Sequence, residues 1–464
     1  METKPDDTKG NAPSFEYLAL VLGGLDEFVS QKIREELSGD NSVCNIQVIS
    51  PAPGNFPNTQ DGVRLGNAGV GQLILQTNAA PSKVLGLRCV QAVYGLVLVE
   101  PQLYISDLSA KDGGASPQVL DRFEQLLLES SRWDQALDLW QKCMVFHGKE
   151  DSPAKRASGN LTFRGSAVRD GKHGFKSPDL AGTIGAAVGQ RFSSWKVNLS
   201  EYDVEVVTLM WQTHAVVGLS LDPFGGPTKS KLAPEKRAPM NQFGRNTTLR
   251  PSTAHVLTLL AEVQPGDVVL DTMCGVGTIP VEVAVMHPSA YSLGGEIEMK
   301  CVPEIQSNLR SFAQHPTWAR RIGGDGCLWD ASNLPLRDHT IDCIIVDMPF
   351  GVACGSTKKN KKMYPRIFKN FARILRPNGR AVLLVYQSKL VLSLIDNGLW
   401  HKKVLYPVNI GGLVVTVFVL QRTQVPLADV YKNFVKKSKK SFSHSKDCTK
   451  VEKIKAPLIK KPKT

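Results

Sequence analysis

The residues Asp347-Met348-Pro349-Phe350-Gly351 follow a mostly apolar run, Ile341 to Val346, that reads as a buried strand. An acid, a proline two residues on and then an aromatic ring suit chemistry on a flat exocyclic amine. The Asp347 carboxylate can accept one N–H hydrogen bond and a backbone carbonyl the other, while the Phe350 ring stacks on the base. Such a tetrapeptide also ends many strands at ordinary turns. Its meaning depends on what lies upstream.

Upstream, the strand Val268-Val269-Leu270-Asp271 leads into Thr272-Met273-Cys274-Gly275-Val276-Gly277-Thr278. A turn this tight needs residues without side-chain bulk, which Gly275 and Gly277 supply. A helix follows at once, so its N-terminal N–H groups face the crevice. Glu296 stands nineteen residues past Gly277, at the end of the next expected strand. A carboxylate there can accept both ribose hydroxyls of a nucleoside. The G-x-G-T pattern lacks the third glycine of a dinucleotide fingerprint. It therefore favours the adenosine part of S-adenosylmethionine (SAM) over NAD. Asp325 and Asp330 both follow a third strand and are candidates to accept from the adenine amine, with Asp330 preferred. Methyl transfer from a sulfonium needs little acid–base help. It needs the amine lone pair aimed at the methyl, which two acceptors on the N–H groups achieve. Asp347 can also take charge or a proton as the nitrogen becomes cationic.

Between residues 252 and 430 helices alternate with apolar strands, the doubly wound α/β pattern that places such loops at one sheet edge. Strands are expected at 267–271, 291–296, 341–347, 380–386 and 413–421, and helices at 252–263, 278–286, 298–313, 364–375 and 388–396. Residues 15–230 read as α+β in two units. The first has strands at 17–22, 71–76 and 95–99, a helix from Asp26, and helical residues 116–145 followed by a charged loop at 146–160. The second opens at Leu161 and continues with a helix at 179–193 and strands at 203–210 and 215–221. A Pro- and Gly-rich stretch supplies a linker at 231–246, ahead of the α/β domain at 247–430. Residues 1–14 and 431–464 are expected to be disordered.

The 464 residues suit two or three domains, and a hydrophobic content of 42% provides a sizeable core. No apolar run approaches a membrane span, and the polar start lacks a signal-peptide core, so an intracellular protein is expected. Nine cysteines include no C-x-x-C pair and read as reduced thiols rather than a disulfide frame or metal site. Of the net charge of +13, the segment 432–464 supplies +10, from twelve Lys against Asp447 and Glu452. The folded part is nearly neutral, so a nucleic-acid face there must be a local patch. Candidates are Lys172, Lys176, Arg191 and Lys196 on the second unit. Lys359 and Lys361 join them, in a run at 358–362 expected to form a flexible basic loop beside the site. The tail clusters Lys436 to Lys440 and Lys460 to Lys463 read as a nuclear-localisation signal or nonspecific RNA contacts.

Residues 250–425 resemble the N2-guanine RNA methyltransferases of the class I, Rossmann-like type, most closely the subgroup bearing a THUMP domain. Their D-x-P-F-G signature appears as Asp347 to Gly351, and their D-P-M-C-G-x-G-T loop as Asp271 to Thr278 with Thr272 in place of Pro. Their V-N-x-G-G-L segment stands at Val408 to Leu413. Their L-R-S/T segment looks like Thr248-Leu249-Arg250-Pro251-Ser252, which implies that Thr248, Leu249 and Arg250 help to hold SAM. Many amino-methyltransferases have N/D-P-P-Y/F; here Met348 replaces the first Pro. The region 15–230 resembles a ferredoxin-like domain plus a THUMP domain, which binds structured RNA. The segments Leu161 to Arg164, Gly185 to Val188, Trp195 to Leu199, Asp203 to Val206 and Val216 to Leu219 carry that likeness.

The resemblance implies SAM as cofactor and an active site holding Asp347, Pro349 and Phe350. Asp271, Cys274, Gly275, Gly277, Thr278, Glu296 and one of Asp325 or Asp330 would bind SAM. It implies N2-methylguanosine formation in a tRNA or a spliceosomal small nuclear RNA, in the nucleus or alternatively the cytoplasm. It also implies a small zinc-binding activator subunit of the tRNA-methyltransferase-112 type. The strands at Tyr291 to Glu296 and 413–420 are expected to lie at or near an edge that such a partner would cover. Two alternatives stand beside this: an RNA-binding adaptor with an inactive methyltransferase fold, and an amino-methyltransferase acting on protein or DNA.

Overall fold

The computed structural model describes residues 14–38, 43–49, 70–105, 111, 116–222, 248–313, 323–351, 356–410 and 413–430. Of the expected tails at 1–14 and 431–464 all but Ser14 lie outside the described residues, as do the tail lysine clusters and the linker at 231–246.

The first half builds β1 (Phe15–Val21), α1 (Asp26–Leu37), β2 (Cys44–Val48), β3 (Gly71–Thr77), α2 (Pro81–Gly86), β4 (Ala92–Glu100), α3 (Gln118–Glu129) and α4 (Trp133–Phe146). It continues with α5 (Ser152–Ala157), β5 (Thr162–Asp170), α6 (Ser177–Arg191), β6 (Lys196–Val197), β7 (Val204–Trp211) and β8 (His214–Ser220). The two expected α+β units share one eight-stranded sheet, ordered β2-β3-β1-β4-β8-β7-β5-β6. The join is the antiparallel pairing of β4 with β8, from Tyr94 opposite Ser220 to Glu100 opposite Ala215. The helical stretch 116–145 breaks in two because Ser130 turns extended and its hydroxyl donates to the Val97 carbonyl of β4. The charged loop after α4 contains the short helix α5, started by Pro153 in its first turn.

The second half builds α7 (Pro251–Ala261), β9 (Val268–Asp271), α8 (Thr278–Met286), β10 (Tyr291–Glu296), α9 (Cys301–Ala313), β11 (Gly324–Leu328) and β12 (Ile341–Asp347). Then follow α10 (Thr357–Ile374), β13 (Leu375–Val385), α11 (Ser388–Ile395), β14 (Trp400–Ile410) and β15 (Leu413–Arg422). Its seven strands are ordered β11-β10-β9-β12-β13-β15-β14. Strands β9 to β13 run parallel; β15 is antiparallel to both its neighbours, so β14 again points the same way as the parallel set. Chain order runs one way from β9 to β11 and the other way from β12, so the switch point lies between β9 and β12. Ligands of open α/β sheets bind at that place, outside the carboxyl ends. The inner strands are apolar because both faces are covered: Cys343 to Val346 and Ala381 to Val385 are fully buried.

The edges of this sheet are β11 and β14; the strands at Tyr291 to Glu296 and 413–422 lie near them, each one place inside. An edge strand is half solvated, so β14 opens on Trp-His-Lys-Lys with exposed lysines and leaves Val404 and Leu405 of its apolar part exposed. The run Lys358 to Lys362 is helix, not loop. Ser356 caps α10, its hydroxyl accepting from the Lys359 amide at 3.2 Å. The lysines point outward while Asn360, Tyr364, Ile367, Phe368 and Phe371 line the buried face.

The halves meet through a buried ionic cluster. Arg88, just beyond α2, donates through both Nε, at 3.1 Å, and Nη2 to the Glu282 carboxylate of α8. His255 Nδ1 of α7 lies 3.3 Å from the same carboxylate. Burial alone would raise the Glu282 pKa, but His255 and Arg88 outweigh it and hold the carboxyl below its ordinary range. At a second contact the Asn409 amide of β14 donates to the Gly23 carbonyl at 3.2 Å. The Glu282 side chain is 2% exposed, so removing its cation strands a buried charge. Arg88→Met is expected to cost about 3–5 kcal/mol in urea unfolding monitored by fluorescence. A loss below about 1 kcal/mol, the ceiling for a solvated surface pair, would show that the pair does not hold the halves together.

Candidate active site

At the end of β9 the chain turns twice through left-handed backbone, at Gly275 (φ 56°) and Gly277 (φ 89°), before entering α8. The turn is fastened on every side. Asp271 Oδ1 accepts the Met273 amide at 3.0 Å. The Cys274 amide donates to the Gly295 carbonyl at 3.0 Å, and the Gly275 amide to Glu296 Oε2 at 2.9 Å. From behind, Asn308 Nδ2 of α9 donates to the Val276 carbonyl at 2.7 Å. Glu296 Oε1 takes the Ile297 amide at 2.8 Å and the Glu298 amide at 3.2 Å. Three amides thus fix a carboxylate that has about four acceptor positions, leaving capacity at the rim for a hydroxyl.

Asp330 and Asp325 part company. Asp325 is the second residue of β11, paired with Leu293, and its carboxylate bonds the Gly326 amide at 2.8 Å. It lies at the strand's start, away from the carboxyl edge, and the structure does not bring it to the site. Asp330 lies two residues past β11, at that edge, with Oδ1 accepting the Ser332 amide at 2.8 Å. Trp329, between them and absent from the sequence expectation, donates Nε1 to the Thr272 carbonyl at 3.2 Å. Its ring occupies the space over Gly295, where a Cβ would lie 1.6 Å from it. Only glycine at 295 lets this ring bridge β10 to the turn after β9.

Asp347 closes β12. Its Oδ1 is buried without a hydrogen-bond partner, and burial pushes its pKa up to about 7. Asp271 is raised well above the ordinary carboxylate range, first by burial and then by the charges of Asp347 and Glu296, against the opposing Met273 amide. Cys274 is buried and its thiol is likewise raised well above its usual range, chiefly by burial. The segment after Asp347 is held from both sides. The Met348 amide donates to the Leu384 carbonyl at 3.0 Å. The Pro349 carbonyl accepts Asn360 Nδ2 at 2.6 Å and the Tyr364 hydroxyl at 2.9 Å. Phe350 rests on Tyr386, with centroids 6.0 Å apart. Asn360 and Tyr364 escaped the sequence expectation because a lysine run surrounds them; their four-residue spacing was the available signal.

Thr248, Leu249 and Arg250 lead directly into α7, with Arg250 at its N-cap and Arg250 Nη1 buried without a partner. Thr278 begins α8 and is buried. The expected RNA-contact residues do not form one patch. Lys172 and Lys176 follow the end of β5, whereas Lys196 pairs opposite its start on β6. Nine residues of strand separate them, about 27–30 Å. Arg191 ends α6, which runs back towards the Lys196 end, and donates to the Leu128 carbonyl. Lys359 and Lys361, exposed on the first turns of α10, flank the Asn360 that holds Pro349.

The orphaned Asp347 Oδ1 and Thr272 Oγ1, the fixed Glu296 and the glycine turn fit a cationic nucleoside such as SAM. Glu296→Ala is expected to weaken SAM binding by roughly 2–4 kcal/mol, the loss of charge-assisted hydrogen bonds and of the turn's anchor. Unchanged affinity by calorimetry would remove Glu296 from the site.

Residues 239–416 match the family model described as UPF0020: RMKL-like, methyltransferase domain. The chain is 35% identical over 272 residues to the tRNA (guanine(6)-N(2))-methyltransferase THUMP3 of Mus musculus, covering 56% of this chain and 51% of that protein. It is 27% identical over 275 residues to the U6 snRNA (guanine-N(2))-methyltransferase THUMPD2 of Bos taurus, covering 58% and 50%. The chain spans about half the length of the curated relatives it matches. The crystal structure of TrmN from Thermus thermophilus aligns over 88% of this chain and 99% of that one, with a TM-score of 0.56 and 19% identity, which shows a shared fold. Residues 239–416 are accordingly similar to a methyltransferase domain of the RMKL-like type.

Proposed function

We propose that the protein uses SAM to form N2-methylguanosine in a structured RNA, a tRNA or a spliceosomal small nuclear RNA. The observation that carries this is Asp347 Oδ1, a buried acceptor without a donor at the carboxyl edge of the central strand β12, facing the same crevice as the glycine turn and Glu296. The named activities of the two guanine-N2 relatives support the choice of base and atom.

SAM, when bound, supplies a methyl group on a cationic sulfur. Glu296 and the turn after β9 hold its ribose, and Asp330 its adenine amine. Asp347 accepts one N–H of the guanine N2 amine and so turns the nitrogen lone pair towards the crevice. The Pro349 carbonyl is taken by Asn360 and Tyr364, which leaves the Met348 carbonyl for the second N–H. Phe350, braced by Tyr386, stacks on the base. As the nitrogen gains its methyl it becomes cationic, and Asp347 takes the proton it sheds. A carboxyl with a pKa of about 7 is suited to accept and release that proton near neutrality.

The near-neutral body leaves RNA to local basic groups. Lys359 and Lys361 hold phosphate beside the target base, while the two separated clusters on the first sheet contact RNA further away. The zinc-binding activator subunit, where required, adds to the exposed edge β14, on which Val404 and Leu405 are 40% and 38% exposed. Among the described residues no helix is long and apolar enough to cross a membrane. A nuclear site of action fits the small nuclear RNA substrate.

Asp347→Ala is expected to lower labelled-methyl transfer to RNA at least about 100-fold, while SAM binding falls only a few-fold, because the carboxylate acts mainly in the transition state. Wild-type rates in this variant would remove Asp347 from the reaction.

A further inference from the structure

Three adjacent strands each send one unpartnered, buried polar atom past the carboxyl edge of the second sheet. They are Thr272 Oγ1 after β9, Asp347 Oδ1 at the end of β12 and Gln387 Nε2 after β13. Buried polar atoms are nearly always bonded, so an orphan at a ligand edge marks a place where a ligand completes the bond. Thr272 belongs to the SAM-binding turn, and Asp347 to the amine. Gln387 has no part in the chemistry described above.

Its position fixes what it would meet. β13 flanks β12 on the side away from β9, with Leu384 paired to Asp347. The loop from Tyr386 to Ser388 therefore runs beside Asp347 to Phe350. Its Tyr386 ring touches the Phe350 ring, and the Ser388 hydroxyl is tied to Thr416 Oγ1 at 2.7 Å. With SAM on the β9 side, the acceptor base lies over the β12–β13 side. There an acceptor, Asp347, and an amide donor, Gln387, stand side by side. Guanine shows the complementary edge: an amine donor at N2 and a carbonyl acceptor at O6. Adenine has no amine at C2 and carries an amine where guanine has O6, so the same pair cannot hold it in guanine's orientation.

We propose that Gln387 is the specificity residue that reads guanine O6, donating through Nε2 while Asp347 holds the N2 amine. The proposal rests on the guanine-N2 reading above and adds to it the group that recognises the rest of the base. Loss of such a bond to a neutral carbonyl is expected to reduce kcat/KM roughly 10–100-fold, with SAM affinity untouched.

The test uses the full chain and RNA in which the methylated guanosine, first mapped with the wild-type protein on tRNA or U6 transcripts, is replaced by 2,6-diaminopurine riboside. This base keeps the 2-amine but puts an amine where guanine has O6. The wild type should prefer guanosine at least about tenfold, Gln387→Ala should lose most of that preference, and Gln387→Glu, now an acceptor, should shift it towards diaminopurine. SAM affinity measured by calorimetry reports that each variant is folded. An unchanged preference in both SAM-binding variants, or no preference in the wild type, overturns the role of Gln387 alone. Absence of N2-methylguanosine from wild-type reactions overturns the guanine-N2 reading and this proposal with it.

Discussion

Three carboxyls converge on the crevice at the switch point of the second sheet: Asp271, Glu296 and Asp347, at the ends of β9, β10 and β12. Two of them lack the solvent that would keep them charged at little cost. Burial raises Asp271 and Asp347, and the charges of Asp347 and Glu296 raise Asp271 further. Like charges gathered in low dielectric destabilise a fold unless something compensates them. Backbone amides do part of this, at Asp271 and Glu296. At Asp347 Oδ1 nothing in the described chain does. The folded protein therefore holds a site short of positive charge and hydrogen-bond donors, and a cationic nucleoside and an amine provide both.

The surrounding structure keeps that arrangement from relaxing. Glu296 cannot swing away because three amides hold it, and the turn after β9 cannot open because Gly295, Asn308 and Glu296 each fasten it. Asn360 and Tyr364 pin Pro349, so the strand end after Asp347 cannot flip. Helix α8, which begins in the turn, is tied to the first half of the chain through Glu282 and Arg88. The same helix thus touches the cofactor crevice at one end and the opposite half along its length.

Much of this was legible in the sequence because buried parallel strands are plain: Val268 to Leu270 and Cys343 to Val346 are apolar runs followed at once by acids. Glycines at 275 and 277 and the spacing to Glu296 carried the turn. What stayed hidden was hidden for physical reasons. β2 and β14 are half-solvated edges: β2 alternates, and β14 opens on lysines ahead of its apolar residues. The lysine run masked the first turns of α10, where only Asn360 and Tyr364 face inward. Asp325 and Asp330 are five residues apart and read alike in the sequence; only the register of β11 against β10 shows that Asp325 sits within the strand and Asp330 past its end. The tie between Arg88 and Glu282 joins residues 194 apart, beyond any local pattern.

The most direct measurement is the pH dependence of SAM affinity by calorimetry. Asp347, with a pKa of about 7 in the free protein against an ordinary value near 3.9, is charged only once the pH has risen through neutrality. A cationic sulfonium favours the charged form. Affinity should therefore rise a few-fold in all as pH increases from about 6 towards 7.5, with release of a fraction of a proton on binding, and level off above. Asp347→Asn should flatten the profile and abolish that proton release. A flat profile in the wild type, or the same slope in Asp347→Asn, would contradict the account of Asp347 as the buried, uncompensated acceptor around which the site is built.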